Sequence, residues 1–292
     1  MRELTLSDHA GEQGSLAAAK RRKDFDASER LFSAAMAGRR QKSGALQKKS
    51  QAAFRERRYF AWLVSFFPRM AHAFSSKPPK PKMAAAGRDE VVWNAGGAGE
   101  QRVTDALAGF LSDDWTLVSG YRNTGGEIDK LLVGPAGVLA MEIKFVNGKV
   151  FCRGDKWWRD KYDNYGNLVE TGVPIADKRG RGPSAQVNDA ADRLQSFLSM
   201  RSSVRRVARA VVLSHESSQI GEISGQKVDL VATLGQLNVA TLAKAMPGGP
   251  AGALTDQIVA LIRKDHEFHM RPREERQANR RRHAAGSALA GS

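Results

Sequence analysis

Cysteine is almost missing from this chain. The single thiol, Cys152, excludes a disulfide framework and any cysteine-based zinc cage, and it fits a reducing cytosol, so a cytoplasmic protein is expected. Long apolar runs are lacking too. None reaches the roughly 18 residues of a membrane span. The nearest, Tyr59–Phe74, is interrupted by Pro68 and Arg69. The opening residues carry Glu3, Asp8 and Glu12 and no apolar stretch, so they do not read as a secretory signal. No Gly-Lys-Ser/Thr follows the glycines at 96–99, which excludes a phosphate-binding P-loop. What is present is a 41% hydrophobic fraction across 292 residues, enough to bury a core and to exclude wholesale disorder.

Charge is unevenly spread. The formal net charge is +15, yet residues 88–262 hold 20 Lys/Arg against 20 Asp/Glu. Residues 1–87 hold 18 against 7, and residues 263–292 hold 8 against 4. The chain therefore reads as a neutral globular domain, 88–262, between a basic N-terminal extension, 1–87, and a basic flexible C-terminal tail, 263–292. Basic extensions suggest an electrostatic partner, nucleic acid first and anionic lipid second, against the plainer reading of a solvated tail. The first 57 residues read as a helical or disordered arm. Tyr59–Phe74 concentrates Phe60, Trp62, Leu63, Val64, Phe66 and Phe67 behind Arg55, Arg57 and Arg58. Too short to span a bilayer, it is expected to dock on the main domain or to meet a membrane surface or a protein. Lys77–Lys82, with three prolines, reads as a stiff linker.

The middle region alternates helix and strand signals. Val103, Leu107 and Leu111 recur at helical spacing over Ala98–Leu111. Trp115–Tyr121 reads as a strand. Glu127–Val133 and Val138–Lys144 read as a hairpin around Gly134–Gly137, and Lys149–Arg153 as a further strand after Asn147-Gly148. Asp155–Gly182 reads as looser chain. Ser184–Met200 is an expected helix, Ala208–Leu213 and Asp229–Thr233 are expected strands, and Val239–Ala245 and Ala253–Arg263 expected helices. This order predicts an α/β domain with a mixed sheet.

Two strands carry acids where a plain core strand would carry aliphatics. Asp129 lies between Ile128 and Leu131, and Glu142 and Lys144 flank Ile143. Residues two apart on a strand share a face, so Glu142 and Lys144 point together, and the hairpin brings Asp129 alongside. Neighbouring carboxylates repel, so one takes a proton or both hold a cation. Hard carboxylate oxygens suit Mg²⁺ or Mn²⁺, and a lysine beside them can stabilise charge on a phosphate oxygen. That combination describes metal-assisted phosphodiester hydrolysis. Its alternative is a same-face Glu/Lys pair on a solvated strand.

An aspartate followed by Glu-x-Lys resembles the PD-(D/E)xK nucleases, and the ordered set is similar to the nuclease-related domain (NERD) family. Its parts are Gly96–Glu100 opening a helix, Glu127-Ile128-Asp129 running into the Gly134–Val138 turn, Glu142-Ile143-Lys144 before Gly148, Trp157-Trp158, and Pro183–Gln186 at a helix start. Ile128 stands where the motif's name has proline. The resemblance covers about residues 94–200 and implies a restriction-endonuclease-like mixed sheet flanked by helices. It also implies metal ligation by Asp129 and Glu142, Lys144 as the catalytic lysine, Glu100 pointing into the site and Gln186 bordering it. The expected activity is Mg²⁺- or Mn²⁺-dependent cleavage of nucleic acid, DNA ahead of RNA, with no small-molecule cofactor. The alternative is a non-catalytic binding or interaction module on the same fold. Elsewhere, Trp157 and Trp158 are expected to pack at a strand end rather than stack on bases. His266 and His269 lack companion ligands for zinc, and Arg205, Arg206 and Arg209 read equally as surface charge or phosphate contacts.

Overall fold

The structure, a computed structural model, describes residues 1–75, 77–163, 165–246 and 254–271. Along the chain run β1 (Arg2–Thr5), α1 (His9–Arg55), α2 (Tyr59–Phe74), α3 (Arg88–Ala108), β2 (Thr116–Asn123), β3 (Gly126–Gly134) and β4 (Gly137–Lys144). There follow β5 (Gly148–Arg153), β6 (Lys156–Tyr162), β7 (Leu168–Pro174), α4 (Pro183–Ser199), β8 (Val207–Leu213), β9 (Ser218–Ser224), β10 (Leu230–Thr233), α5 (Val239–Ala245) and α6 (Thr255–Met270). The chain divides into two compact units, Gln13–Val91 and the remainder.

The larger unit is a mixed α/β domain. Six strands form its main sheet in the order β1-β2-β3-β4-β8-β10. The β2/β3 and β3/β4 pairs are antiparallel, whereas β1/β2, β4/β8 and β8/β10 are parallel. A second sheet, β7-β6-β5-β9, grows from the end of β4. Aliphatic residues alternate across the central strands because both faces are covered. On one face, Val138 and Ala140 join Val187, Ala191 and Leu194 of α4 and Ile258 and Ile262 of α6. On the other, Leu139, Met141 and Ile143 join Val103 and Leu107 of α3 and Leu242 of α5. Glycine sets the exit from β4. Gly148 has φ +97, and a Cβ there would lie 2.0 Å from the Asp160 carbonyl oxygen, so only glycine lets β5 lie against β6 at this point.

The smaller unit holds most of α1, all of α2 and the linker. Ala, Lys, Arg and Gln, all strong helix formers, fill α1. Residues 77–87 have no regular secondary structure, in keeping with the prolines at 78, 79 and 81.

Five features differ from the sequence expectation. Helix α3 begins at Arg88, so Gly96 and Gly97 lie inside it rather than at its start, and it ends at Ala108. Arg2–Thr5 form an edge strand parallel to β2, so the sheet recruits residues assigned to the extension. Four residues with one aliphatic side chain are too short to show a period. The stretch read as loose chain, Asp155–Gly182, contains β6 and β7, and β9 was not expected at all. Apart from Trp157 of β6, these strands are polar or half-exposed, and they are joined by backbone pairing. Lastly, α6 continues to Met270 where a flexible tail was expected from residue 263, and it buries Asp265 and His266. The Tyr121 hydroxyl donates to Asp265, and the Arg122 amide donates to His266 Nδ1 at 3.1 Å. His269 Nε2 lies 3.6 Å from Asp265. His266 therefore serves packing between α6 and β2, and His269 pairs with Asp265 within α6. The rest of the expected tail, from residue 272, lies outside the described residues.

Tyr121→Phe should leave the buried Asp265 carboxylate without its hydroxyl donor. A loss of about 1–3 kcal/mol is expected, read as a lower urea midpoint at unchanged m-value. An unchanged midpoint would show that the Tyr121–Asp265 hydrogen bond adds nothing to the domain's stability.

Candidate active site

The site forms where β3 and β4 part. Their ladder ends at Lys130 opposite Met141. Beyond it the Asp129 carboxylate replaces the missing backbone partner, Oδ2 accepting from the Ile143 amide at 2.7 Å. Glu142 and Lys144 share the strand face that α4 covers. Lys144 Nζ lies 2.5 Å from Glu142 Oε1 and donates to Gln186 Oε1 at 3.1 Å. The Gln186 amide is oriented in turn, Nε2 donating to the Arg181 carbonyl oxygen at 2.8 Å.

Two helices are pinned to bring their residues here. Helix α4 starts on Pro183, whose missing N–H costs nothing at a helix start. Ser184 Oγ accepts from Trp157 Nε1 at 2.9 Å and donates to Asp155 at 2.8 Å, fixing that start to the second sheet. Helix α3 approaches the end of β4 at Gly99, where a Cβ would meet Ser214 Oγ at 2.5 Å and Phe145 Cβ at 3.0 Å. The next residue, Glu100, lies 3.7 Å from Lys130 Nζ, which also donates to Ser119 Oγ at 2.9 Å.

A cavity of about 190 Å³ opens at this point, walled by Glu100, Glu127, Asp129 and Glu142 with Arg181 and Gln186. The acids are strained electrostatically. Burial, then repulsion from Asp129 and Glu100, pushes Glu142 up to about 8 despite Lys144. Burial also raises Asp129, against the pull of Lys144 and the Ile143 N–H. Glu100 is pushed up to about 7, by burial first and then by Asp129, with Lys130 opposing. For Lys144 burial acts against the charge, but Glu142 and Asp129 outweigh it and hold the ammonium above its ordinary value.

All five residues singled out from the sequence, Glu100, Asp129, Glu142, Lys144 and Gln186, thus meet at one place. Three more were not singled out. Glu127 shares a face with Asp129 two residues away, a spacing that could have flagged it, and its carboxylate pairs with Arg122. Lys130 resembles an ordinary strand lysine until α3 brings Glu100 to it. Arg181 sits in an irregular segment with no pattern, paired with Asp177 and Asp189 at 2.9 Å each. The two tryptophans separate. Trp157 is buried and bonded to Ser184, as packing would have it. Trp158 is half-exposed and stacks on Phe151 with rings 7° apart and centroids at 5.8 Å.

A mixed sheet that gathers carboxylates and a charged lysine at the divergence of a hairpin has the architecture of a nuclease-like fold, the PD-(D/E)xK kind. Residues 95–214, from just before Gly96 to just past the end of β8, match the family described as the nuclease-related domain. No curated protein and no solved structure matches the chain.

Without a bound cation, the raised carboxyls make folding depend on pH. A carboxyl whose folded-state value exceeds its unfolded one holds its proton more tightly when folded. Its contribution is complete below the unfolded value and is lost as pH rises toward the folded one. For Glu142 that window runs from 4.5 to about 8. Chelator-treated protein should therefore lose stability to urea as pH rises through this range, and Glu142→Gln should flatten the loss. Equal slopes for the two proteins would show that the Glu142 carboxyl is not held protonated.

Proposed function

We propose that the domain hydrolyses phosphodiester bonds of nucleic acid, DNA ahead of RNA, with Mg²⁺ or Mn²⁺ held by Asp129 and Glu142. The observation that carries this reading is the crowding of Asp129, Glu142 and Glu100 around one cavity beside a lysine that keeps its charge. Three carboxyls against Lys144 and Lys130 leave an excess of negative charge, which either takes up protons or binds a cation.

The donor chemistry fits such an ion. Among the described residues no group of three or more His, Cys, Asp and Glu side chains is arranged to hold a metal by itself. Mg²⁺ does not require one, since it keeps several waters and is commonly bound by one or two carboxylates together with substrate phosphate. Asp129 is oriented through Oδ2 by the Ile143 amide and Glu142 through Oε1 by Lys144, leaving the second oxygen of each as the candidate donor. When bound, the ion would polarise the phosphate and lower the pKa of a coordinated water.

The chain's own residues account for the rest. Lys144 places a fixed positive charge beside the carboxylates, where a phosphate oxygen gains charge in the transition state. Gln186 limits where the ammonium can swing, and Arg181 holds the Gln186 amide through its carbonyl oxygen. Glu100, tethered to Lys130, closes the cavity from the α3 side. Nearby, the half-exposed Trp158–Phe151 stack, with Lys149 Nζ 5.8 Å from the Phe151 ring, offers a surface suited to an unpaired base.

Plasmid, linear DNA and RNA incubated with Mg²⁺, with Mn²⁺ and with chelator test the proposal. Cleavage is expected only with metal. Asp129→Ala or Glu142→Ala should abolish it, and circular dichroism should show the variants folded, since the relieved repulsion offsets part of the cost of the unpaired Ile143 amide or Lys144. Cleavage that persists in chelator would overturn the metal assignment. Binding without cleavage under every condition would leave the non-catalytic module as the correct reading.

Lys144→Met should retain metal binding, measured by calorimetry, and lose about 10²–10³ in rate, the usual cost of removing one charge-stabilising donor. Near wild-type turnover in that variant would make the lysine a structural partner of Glu142.

A further inference from the structure

The nuclease reading makes no use of α2, whose orientation is unusual for a helix in water. In a helical hairpin the apolar stripe ordinarily faces the partner helix. Here the reverse holds. The side of α2 turned to α1 carries the half-buried Ala61, Ser65 and His72. It is held largely by polar bonds. Arg39 donates to the His72 carbonyl oxygen at 3.0 Å and to Ser75 Oγ at 2.8 Å, and Arg69 donates to Ser50 Oγ at 3.2 Å. Phe54 adds ring contacts to Tyr59 and Trp62 at the N-terminal end.

The opposite side is a continuous apolar stripe at positions 60, 63, 64, 67, 71 and 74. Phe60 is 81% exposed, Phe67 67% and Phe74 82%, and Leu63 and Val64 are half-exposed or more. No residue of the helix is buried. Exposed patches of this kind mark a surface that something covers.

Charge identifies the cover. From residue 30 to residue 87 the sequence holds 13 Lys/Arg and a single acid, Glu56, which lies 3.6 Å from Arg58. The partner must therefore offer an apolar layer and dense negative charge together. Nucleic acid supplies the charge but no apolar layer, so the phenylalanines would stay in water. A protein groove supplies the layer but would have to be ringed by acids to match so many cations. An anionic bilayer supplies both, acyl chains beneath a sheet of negative headgroups. Sixteen residues rise about 24 Å as a helix, less than the roughly 30 Å hydrocarbon core, so α2 is suited to lie in the membrane plane. No helix among the described residues is long and apolar enough to cross a membrane. Tyr59 and Trp62, at the end nearest Arg55 and Arg58, suit the headgroup level.

We propose that the α1–α2 hairpin is a peripheral membrane anchor. In it the Phe60–Phe74 stripe of α2 enters one leaflet of an anionic bilayer while the surrounding lysines and arginines meet its headgroups. The proposal is independent of the nuclease assignment and stands or falls separately from it.

The test is co-sedimentation of the full-length protein with vesicles of phosphatidylcholine alone and of phosphatidylcholine mixed equally with phosphatidylglycerol. Binding is expected to the mixed vesicles, to weaken with salt, and to be much weaker on the neutral ones. The double variant Phe60→Ser/Phe67→Ser alters only exposed side chains, so its circular dichroism should match the parent. Each phenylalanine leaving water is worth about tenfold in partitioning or more, so the variant should bind about a hundredfold less. Arg55→Gln/Arg58→Gln should weaken binding and reduce its salt dependence. Failure of the parent protein to bind mixed vesicles would overturn the proposal, as would vesicle binding unaffected by the double variant, which would make the attraction charge alone. DNA affinity that falls with the phenylalanines, or a parent oligomer that the double variant converts to monomer, would assign the stripe to nucleic acid or to a second copy instead.

Discussion

Buried carboxylates at the point where β3 and β4 separate are the constraint around which the domain is arranged. Asp129 and Glu142 repel one another, and the structure offsets this with one ammonium and one backbone amide, while burial and repulsion favour the protonated form of Glu142. Both the ammonium of Lys144 and the amide of Ile143 come from the end of β4, and a further acid, Glu100, arrives on α3 with Lys130 as its counter-ion. The local energetic cost is met by the aliphatic packing on both faces of the sheet, where residues from Val138 to Met141 are fully enclosed.

Holding such a cavity open requires the surrounding helices to be fixed accurately, and the fixing points are small. At Gly99 the absence of a side chain lets α3 come against the end of β4. At Ser184 a single hydroxyl ties the start of α4 to Trp157 and Asp155 of the second sheet. The second sheet thereby does more than extend the domain. Its β5–β6 turn governs where Gln186 stands, and Gln186 in turn governs Lys144.

The two units divide the labour of charge. The α/β domain balances its acids and bases and concentrates the imbalance in one cavity. From residue 30 to residue 87 the α1–α2 hairpin and the linker carry cations with a single acid, and α2 keeps its apolar stripe exposed. The chain thus sets its charge-dense cavity and its exposed apolar stripe in different units, with the proline-rich stretch Lys77–Lys82 between them in sequence.

Much of this was legible along the chain. The hairpin from Glu127 to Lys144, its glycine turn, the helix opening at Pro183, the pairing of Glu142 with Lys144 on one face and the segregation of charge all follow from spacing. Strand and helix periods dictate which side chains share a face, and turn glycines dictate where the chain reverses. Other features were decided only by tertiary structure. Strands β6, β7 and β9 are held by backbone pairing, which leaves little trace in side-chain pattern. The enclosure of Asp265 and His266 depends on α6 meeting Tyr121, more than a hundred residues away. Lys130 joins the site because α3 brings Glu100 to it, Glu127 because β2 sets Arg122 beside it, and Arg181 because Asp177 and Asp189 of α4 hold it. The direction in which α2 turns its phenylalanines depends on which side of it α1 binds, since helical periodicity defines a stripe but not what the stripe faces.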